Sequence, residues 1–233
     1  MISVKHTARD FLHLFFPHVC AGCGSDVLGE EAVICMECLD ALPLTNFHLH
    51  AQNPAEKIFR GRLPVTGVSS LLYFSKDSLV QRLLHQLKYK GHTGLGYLLG
   101  NMMGAALKAS PIFKTVEVLV PLPLHASKEK KRGYNQAMIL CEGIASITGV
   151  SICAQAVVKG SHTETQTHKN RLQRWQNIEG RFVVAQPHLL QDKQVLLIDD
   201  VMTTGATLEA CGQEILRVPG AALSMATLAY TVK

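Results

Sequence analysis

The stretch from Val195 to Leu208, VLLIDDVMTTGATL, decides how the rest of the chain is interpreted. Its first four residues are apolar and partly β-branched, which predicts a short strand buried on both faces of a parallel sheet. Asp199 and Asp200 follow at the carboxyl end of this strand, the edge at which ligands bind in open α/β sheets. The next turn, Thr203 to Thr207, is small and rich in hydroxyls, and a helix is predicted from Leu208. Backbone N–H groups at such a turn favour an anion, so we expect a phosphate there.

Each part of this stretch also has a common structural explanation, because two acidic residues can simply end a strand and Thr-Thr-Gly can cap a helix. The complete string is more specific. Two acids, two apolar residues and then Thr203, Thr204, Gly205, Ala206 and Thr207 resemble the phosphoribosyl pyrophosphate signature of type I phosphoribosyltransferases. The string is neither a Walker loop nor a dinucleotide-binding turn, since it lacks Gly-Lys-Ser/Thr and Gly-x-Gly-x-x-Gly.

The composition bounds the class of protein. A chain of 233 residues has room for one medium-sized α/β domain and a small additional module. Its 47% hydrophobic and 18% charged residues exclude a disordered chain, and its net charge of +5 suits a phosphorylated ligand or nucleic acid without requiring either. No apolar run is long enough to span a bilayer, and residues 11–16 predict a packing helix rather than a signal peptide. Seven cysteines, an odd number, favour reduced thiols and a cytoplasmic protein.

Four of the cysteines form two Cys-x-x-Cys pairs, Cys20 with Cys23 and Cys35 with Cys38. Four thiolates complete a tetrahedral zinc site with no open position, so the expected role is structural. Unrelated buried cysteines, a redox pair and a nucleic-acid knuckle are the alternatives. The segment that follows lacks sustained periodicity. We therefore expect a zinc-binding module and linker over residues 1–64 and a second domain over residues 65–233.

The second domain alternates predicted strands and helices, which indicates a parallel sheet with helices on both faces. Further strands are predicted at Val65 to Phe74, Val116 to Val120, Ser151 to Val158 at an edge, Phe182 to Val184, and Leu223 to Tyr230. Helices are predicted from Leu79 to about Leu87, Leu95 to Leu107, Gln136 to Ile147, and Leu208 to Leu216.

Basic residues and a rigid loop provide candidate phosphate contacts. Lys88 and Lys90 lie at a predicted helix end, where they either interact with the helix dipole, or one of them faces the phosphates of a ligand. Two prolines make the segment Pro121-Leu122-Pro123-Leu124 rigid, with a cis bond as an option. The basic run Lys128 to Arg132 follows directly. Charge runs are most often solvated, but this position favours Arg132 as a phosphate contact.

Residues 159–177 form a long polar excursion that includes Arg171 and Arg174. Such a segment inside a compact domain is usually functional or disordered, and its charge suits a lid over an anionic ligand. A surface loop with a short helix is the alternative.

Several motifs occur in a characteristic order: the four cysteines, LKYKG at 87–91, VPLPLH at 120–125, RGYNQ at 132–136, the 165–177 segment and IDDVMTTGATL. In this order they resemble the ComF family of phosphoribosyltransferase-like proteins over nearly the whole chain. The resemblance implies a type I phosphoribosyltransferase-like open parallel sheet flanked by helices, plus a small N-terminal zinc-binding module. It also implies phosphoribosyl pyrophosphate with magnesium as the ligand, with the pyrophosphate held by the backbone of Pro121, Leu122, Pro123 and Leu124.

The implied biological setting is cytoplasmic DNA uptake and natural transformation, with single-stranded DNA and DNA-uptake proteins as candidate partners. Two functions remain open at this point. The first is pentosyl transfer from phosphoribosyl pyrophosphate to an unknown acceptor with release of pyrophosphate. Asp199 and Asp200 would stabilise positive charge on the sugar while magnesium and cations neutralise the leaving group. The second is a non-catalytic module that senses phosphoribosyl pyrophosphate or handles single-stranded DNA.

Overall fold

The computed structural model describes residues 19–26, 32–160 and 182–232. The strands, in chain order, are β1 (Gly67–Phe74), β2 (Val118–Pro121), β3 (Ser151–Ile152), β4 (Val157–Lys159), β5 (Phe182–Val184), β6 (Gln194–Met202) and β7 (Ala222–Thr231). The helices are α1 (Met36–Asp40), α2 (Pro54–Lys57), α3 (Leu79–Tyr89), α4 (Thr93–Ala109), α5 (Ala126–Arg132), α6 (Gln136–Thr148) and α7 (Ala206–Ile215). Short 3-10 helices occur at Phe47–Leu49 and Pro187–Leu189. None of the helices in these ranges is long and apolar enough to cross a membrane.

Five strands form one parallel sheet in the order β1-β7-β6-β2-β3. β6 is central, and its residues Val195 to Ile198 are buried, as the apolar run predicts. Leu196 and Ile198 contact one apolar layer, to which α3, α4 and α6 contribute, whereas Val195 and Leu197 contact a second layer that includes α7. This arrangement confirms the predicted fold class, an open parallel sheet flanked by helices together with a small N-terminal four-cysteine module.

The central strand is longer than its apolar run. β6 continues through Asp199 and Asp200 to Met202, because β7 keeps pairing with it over this length. β2 ends earlier, with Pro121 opposite Ile198. The expectation that both aspartates follow the strand is therefore wrong. They lie in its second half, beyond the last pair with β2, where β6 is paired with β7 on one side and the other side is open.

Two strand predictions on either side of residues 161–181 are also wrong. Only Ser151 and Ile152 join the edge of the sheet, since a turn closed by the Ala156 N to Cys153 O hydrogen bond (3.2 Å) redirects the chain. β4 and β5 then pair with each other as a separate antiparallel ribbon, so Phe182 to Val184 does not re-enter the main sheet. Burial of Phe182 in the second apolar layer stabilises this ribbon.

The basic run after the proline loop forms a helix that apolar periodicity does not reveal, because none of its residues is buried. His125 caps α5 by accepting a hydrogen bond from Ser127 N (3.3 Å), and Gly133 ends it with a φ of 84°. All peptide bonds in the described ranges are trans, so the optional cis bond at the prolines is not present.

The segment between the cysteines and β1 is ordered by capping and burial. Asn53 caps α2 through hydrogen bonds from Ala55 N (3.0 Å) and Glu56 N (3.1 Å). Phe47 and Phe59 from this segment are buried in the second apolar layer. The segment thereby packs directly behind the end of β6.

Candidate functional site

The turn from β6 into α7 has the geometry of an anion site. Gly205 adopts a φ of 74° and has no side chain to cap α7, and Thr204 Oγ1 accepts a hydrogen bond of 3.4 Å from Ala206 N at the start of the helix. Thr203 to Thr207 line a small concavity here together with Asp199. Glu209, in the first turn of α7, is neutralised by an ion pair with Arg62. Free N–H groups and the helix dipole at this turn favour a phosphate.

Gly205 is also required by packing. A Cβ at this position would lie 2.9 Å from Phe59 Cζ and 2.9 Å from Ile58 Cγ2. The turn therefore rests on the segment that precedes β1. The sequence indicates a glycine turn, but it does not indicate which residues support it.

Asp199 and Asp200 are adjacent in a strand, so their side chains point to opposite faces. Asp200 lines a cavity beside α3, whereas Asp199 lines the concavity of the phosphate turn. Burial and the negative charge of Asp200 raise the pKa of Asp199 to about 7, although a hydrogen bond from Asp200 N and the charges of Lys88 and Lys159 act in the opposite direction. The turn and the cavity thus lie on either side of one strand end.

Lys88 is placed in this site by the end of α3. Its Nζ lies 2.8 Å from Asp200 Oδ2, and the two side chains are 23% and 13% exposed. The sequence left open whether Lys88 interacts with the dipole of its own helix or contacts a phosphate of the ligand. In the structure it is the partner of a signature carboxylate.

Two motifs that are distant in sequence meet next to this ion pair. Tyr134 of RGYNQ donates a hydrogen bond to the carbonyl of Leu87 in LKYKG. The Arg132 guanidinium lies 5.6 Å from the centroid of the Tyr89 ring, and its Nη1 is 2.6 Å from Gln136 Oε1. Arg132 is therefore held beside the end of α3.

The loop from Pro121 to Leu124 is held in place by hydrogen bonds of Leu122 to β6 and to the residue before α6. Leu122 N donates to Ile198 O (2.8 Å), and the Leu122 carbonyl accepts from Asn135 Nδ2 (3.0 Å). Pro121, Pro123 and Leu124 line a cavity of about 310 Å³ that Lys159 also lines. The loop and the aspartates thus share the carboxyl edge of the sheet.

Sequence reasoning missed Lys159 as a member of this edge. Its charge lowers the pKa of Asp199, and its Nζ lies 5.3 Å from the centroid of the Phe182 ring. Its only sequence signal is its position at the start of the polar excursion. Arg171 and Arg174, predicted for a lid, lie outside the described residues.

The four cysteines of the N-terminal module converge. Their sulfur atoms all lie within 4.8 Å of one another, and Cys23 Sγ is 3.8 Å from Cys35 Sγ. A tetrahedral zinc with bonds of about 2.3 Å places its sulfurs about 3.8 Å apart. The set therefore fits the zinc ion that the sequence predicts.

Backbone N–H groups donate hydrogen bonds to two of the four sulfur atoms. Cys20 Sγ accepts from Cys35 N (3.2 Å) and Gly22 N (3.4 Å), and Cys35 Sγ accepts from Cys38 N (3.5 Å). Burial alone raises the pKa of Cys20, but hydrogen bonds from the backbone of Cys23, Cys35 and Gly22 outweigh it and lower the pKa to about 6. Zinc binds the thiolate form, so the environment of Cys20 favours the ion, whereas burial and the neighbouring cysteines raise the pKa of Cys38.

Comparison with known proteins identifies two groups of relatives. The chain is 24% identical to the DNA utilization protein YhgH of Escherichia coli over 217 residues, which is 92% of this chain and 91% of that protein. It is 27% identical to YhgH of Salmonella typhimurium over 153 residues, 64% of this chain and 66% of that protein. It is 28% identical to competence protein F of Haemophilus influenzae over 130 residues, 54% of this chain and 57% of that protein. The matches thus span about two thirds of the Salmonella relative and over half of the Haemophilus one.

No family model matches the chain. Among solved structures, the glutamine phosphoribosylpyrophosphate amidotransferase of B. subtilis has a TM-score of 0.43 at 12% identity, covering 61% of this chain and 30% of that chain. A hypothetical protein from Neisseria gonorrhoeae with bound ppGpp has a TM-score of 0.39 at 16% identity, covering 60% and 69%.

Proposed function

We propose that this chain, a homologue of DNA utilization protein YhgH and competence protein F, binds phosphoribosyl pyrophosphate and transfers its phosphoribosyl group to an acceptor, releasing pyrophosphate. The names of the relatives favour a role in DNA uptake or utilization, with DNA-uptake proteins as partners. One observation carries the proposal. The carboxylate pair lies where the central strand is paired on one side only, and this strand leads directly into the turn before α7, with Gly205 at positive φ.

Each part of the edge has a role in this reaction. The 5′-phosphate is bound by the turn Thr203 to Thr207, and the ribose hydroxyls are bound by Asp199 and Asp200. The pyrophosphate lies against the loop Pro121 to Leu124. One hydrogen bond holds this loop to Ile198 of β6 and another holds it to Asn135 before α6, which supports the placement.

The charges at the edge suit the chemistry. Departure of pyrophosphate leaves positive charge on the sugar ring, and a nearby carboxylate stabilises it in a site shielded from water. Lys159 lies near Asp199, and Arg132 lies beside the end of α3, so both can neutralise the leaving group. Magnesium, when bound with the donor, would neutralise further phosphate charge, and carboxylate oxygens are ligands that it prefers.

The test measures pyrophosphate release from pure protein with phosphoribosyl pyrophosphate, magnesium and a panel of nucleophilic acceptors. Asp199→Asn and Asp200→Asn are each expected to lower the rate by at least about 100-fold, the scale of a lost electrostatic contact in a transition state. Asp192→Asn is the matched control, because Asp192 lies in the turn before β6, at the opposite end of that strand. Its rate should match that of the unchanged protein.

A second function is favoured by α5, whose residues Lys128, Lys130 and Lys131 are exposed. A cationic helix beside the site suits a module that binds the donor as a signal and holds single-stranded DNA. Saturable donor binding without pyrophosphate release from any acceptor would contradict the transferase and favour this module. DNA binding through these lysines should then weaken steeply with salt, and changing all three to glutamine should reduce the salt dependence.

A further inference from the structure

A cavity of about 190 Å³ lies at the opposite end of the sheet from the candidate functional site. The residues that line it come from the C-terminal ends of α4 and α6, the segment that joins α4 to β2, and the first halves of β2 and β6. The phosphate turn and the loop from Pro121 to Leu124 follow the other ends of these two strands. The proposed transfer of phosphoribose therefore leaves this cavity unused.

The walls and the volume of the cavity suit a small apolar ring. Its deepest walls are buried members of the first apolar layer, namely Leu107, Phe113, Leu119, Ile144 and Leu196. Protein interiors are close-packed, and voids larger than a water molecule are few. A cavity of about 150 Å³ with Leu, Ile and Phe walls stays dry and binds benzene. The cavity in this protein has the same kind of wall and room for one ring with a small substituent.

Thr148 is the one uncharged polar side chain among the described residues that line the cavity. Its hydroxyl donates to the Ile144 carbonyl (2.9 Å) and accepts from Val150 N (3.3 Å). These bonds satisfy the hydroxyl within the protein. The polar group of a ligand is therefore selected by the two other polar residues of the wall, Lys108 and Lys114.

The two lysines differ in how far the fold accounts for them. Lys108 lies in the last turn of α4, and its Nζ donates to the Ile147 carbonyl near the end of α6 (3.1 Å). A cation at helix C-termini is stabilising without any ligand. Lys114 lies outside the helices, and within the described ranges no hydrogen bond or ion pair joins its ammonium to another residue. Lys114 is therefore available to an anion.

The acidic residue nearest to Lys114 in the sequence is engaged elsewhere. Glu117 accepts from Lys193 Nζ (2.8 Å) and from Gln194 N (3.0 Å). Its carboxylate is thereby held at the start of β6 by a different cation. An anionic ligand at Lys114 consequently takes a position that the protein's own carboxylates leave open in the described ranges.

We infer that this cavity binds a small aromatic carboxylate. The ring lies against the Leu119, Ile144 and Leu196 side chains, and the carboxylate accepts hydrogen bonds from the ammonium groups of Lys114 and Lys108. Each ammonium has three donors, and Lys108 uses one of them on the Ile147 carbonyl. Hydrogen bonds between ionised partners are stronger than neutral ones. This inference does not depend on the proposed transfer reaction.

Benzoate is the test ligand, and two controls each lack one of its parts. Benzyl alcohol has the ring without the charge, and acetate has the charge without the ring. Binding is followed by NMR titration of the full, zinc-loaded chain at constant salt. We expect benzoate to bind with a Kd below about 10 mM and at least about 5-fold more tightly than either control. The largest shifts should belong to the methyl groups of Leu107, Ile144 and Leu196.

Lys114→Gln tests the charge. Benzoate affinity should fall about 3-fold, the scale of one solvent-accessible ion pair, whereas benzyl alcohol affinity should not change. Lys57→Gln is the matched control, because Lys57 is an exposed lysine of α2 that does not line the cavity. It should leave the affinity for both compounds unchanged.

Val116→Phe tests the space. Val116 is half-buried in the cavity wall, and a larger side chain there occupies the volume of the ring. Benzoate binding should be lost, while the Tm stays equal or rises because filling a void adds contacts. Val183→Phe is the control, since Val183 is exposed on the β4–β5 ribbon away from the cavity. It should leave benzoate affinity unchanged.

Three results would each overturn the inference. The first is no saturation by benzoate below about 10 mM. The second is equal affinity for benzoate and one of its controls, or an unchanged benzoate affinity in both Lys114→Gln and a folded Val116→Phe. The third is a set of shifts centred on another part of the protein. None of these results bears on donor binding or on pyrophosphate release, so the two proposals fail separately.

Discussion

The Lys88 to Asp200 ion pair gives the two signature carboxylates different environments. Asp200 has a cation 2.8 Å away, whereas Asp199 lies on the opposite face, where burial and the negative charge of Asp200 raise its pKa to about 7. Two like charges at adjacent positions repel, so one cation and one raised pKa relieve the same conflict. The pair is therefore chemically asymmetric before any ligand binds.

The raised pKa of Asp199 predicts a pH dependence of folding. The pKa of Asp199 is about 7 in the folded protein, compared with 3.8 for a carboxyl group free of these surroundings, as in the unfolded chain. The folded state therefore binds the proton more tightly than the unfolded state. The contribution of Asp199 to the free energy of unfolding should therefore fall as pH rises between about 4 and about 7, by no more than about 1.4 kcal/mol per pH unit, and then level off. Urea unfolding of the unchanged protein and of Asp199→Asn at several pH values measures this. An identical pH dependence for both proteins would contradict it.

Gly205 provides a second prediction at this scale. Gly205→Ala should strain the backbone, because the new residue has a Cβ at a φ of 74°. It should also create a steric contact, because that Cβ would lie 2.9 Å from Phe59 Cζ. Gly61→Ala is the matched control, since Gly61 has a φ of 72° but no atom within 4 Å of its Cβ position. The control should lose about 1 kcal/mol of unfolding free energy from backbone strain alone, and Gly205→Ala should lose more and also weaken donor binding. Equal losses would show that the contact with Phe59 does not matter.

At the scale of elements, α3 connects the cysteine module to the candidate site. Its N-terminal half contacts the module, because Arg82 Nε donates to the Gly22 carbonyl (2.8 Å) and a Cβ on Gly22 would lie 2.7 Å from Leu79 Cδ1. Its C-terminal end carries Lys88 and Tyr89. The position of α3, and with it the Lys88 ion pair, therefore depends on packing against the module.

Zinc removal tests this dependence. We expect about one zinc ion per chain by elemental analysis, as one tetrahedral set of four thiolates implies, and its loss in Cys20→Ser. Chelation should speed amide hydrogen exchange in the first turns of α3, because the contact with Gly22 loosens. Cys153→Ser, a half-buried cysteine outside the cluster, should retain the ion. Exchange in α3 that does not respond to chelation would contradict the connection.

At the scale of the molecule, the strand order determines which loops share one edge. With β6 between β7 and β2, the turn after β6 lies between the end of α3 on one side and the proline loop on the other. The early end of β2 at Pro121 leaves one side of β6 open beside the aspartates.

The fold was largely predictable from the sequence. The central strand, the helices after β1 and β6 and the four-cysteine cluster depend on contiguous apolar runs, caps and spacings, all of which are local signals. The short elements were not predictable, because α5 buries no residue and β4 and β5 contain three residues each. α5 is fixed by its local caps, His125 and Gly133, whereas β4 and β5 are fixed by pairing with each other, and neither signal appears as apolar periodicity.

The sequence by itself determined the carboxylates, the glycine turn and the cysteine pairs, since each is a run of residues whose chemistry follows from its own spacing. Only the tertiary structure decided that Lys88 faces Asp200, that Tyr134 contacts Leu87, and that Lys114 lines an apolar cavity. The physical reason is that ion pairs and cavities form between side chains from separate strands and helices. Their partners are selected by strand order and helix packing, which local sequence patterns do not specify.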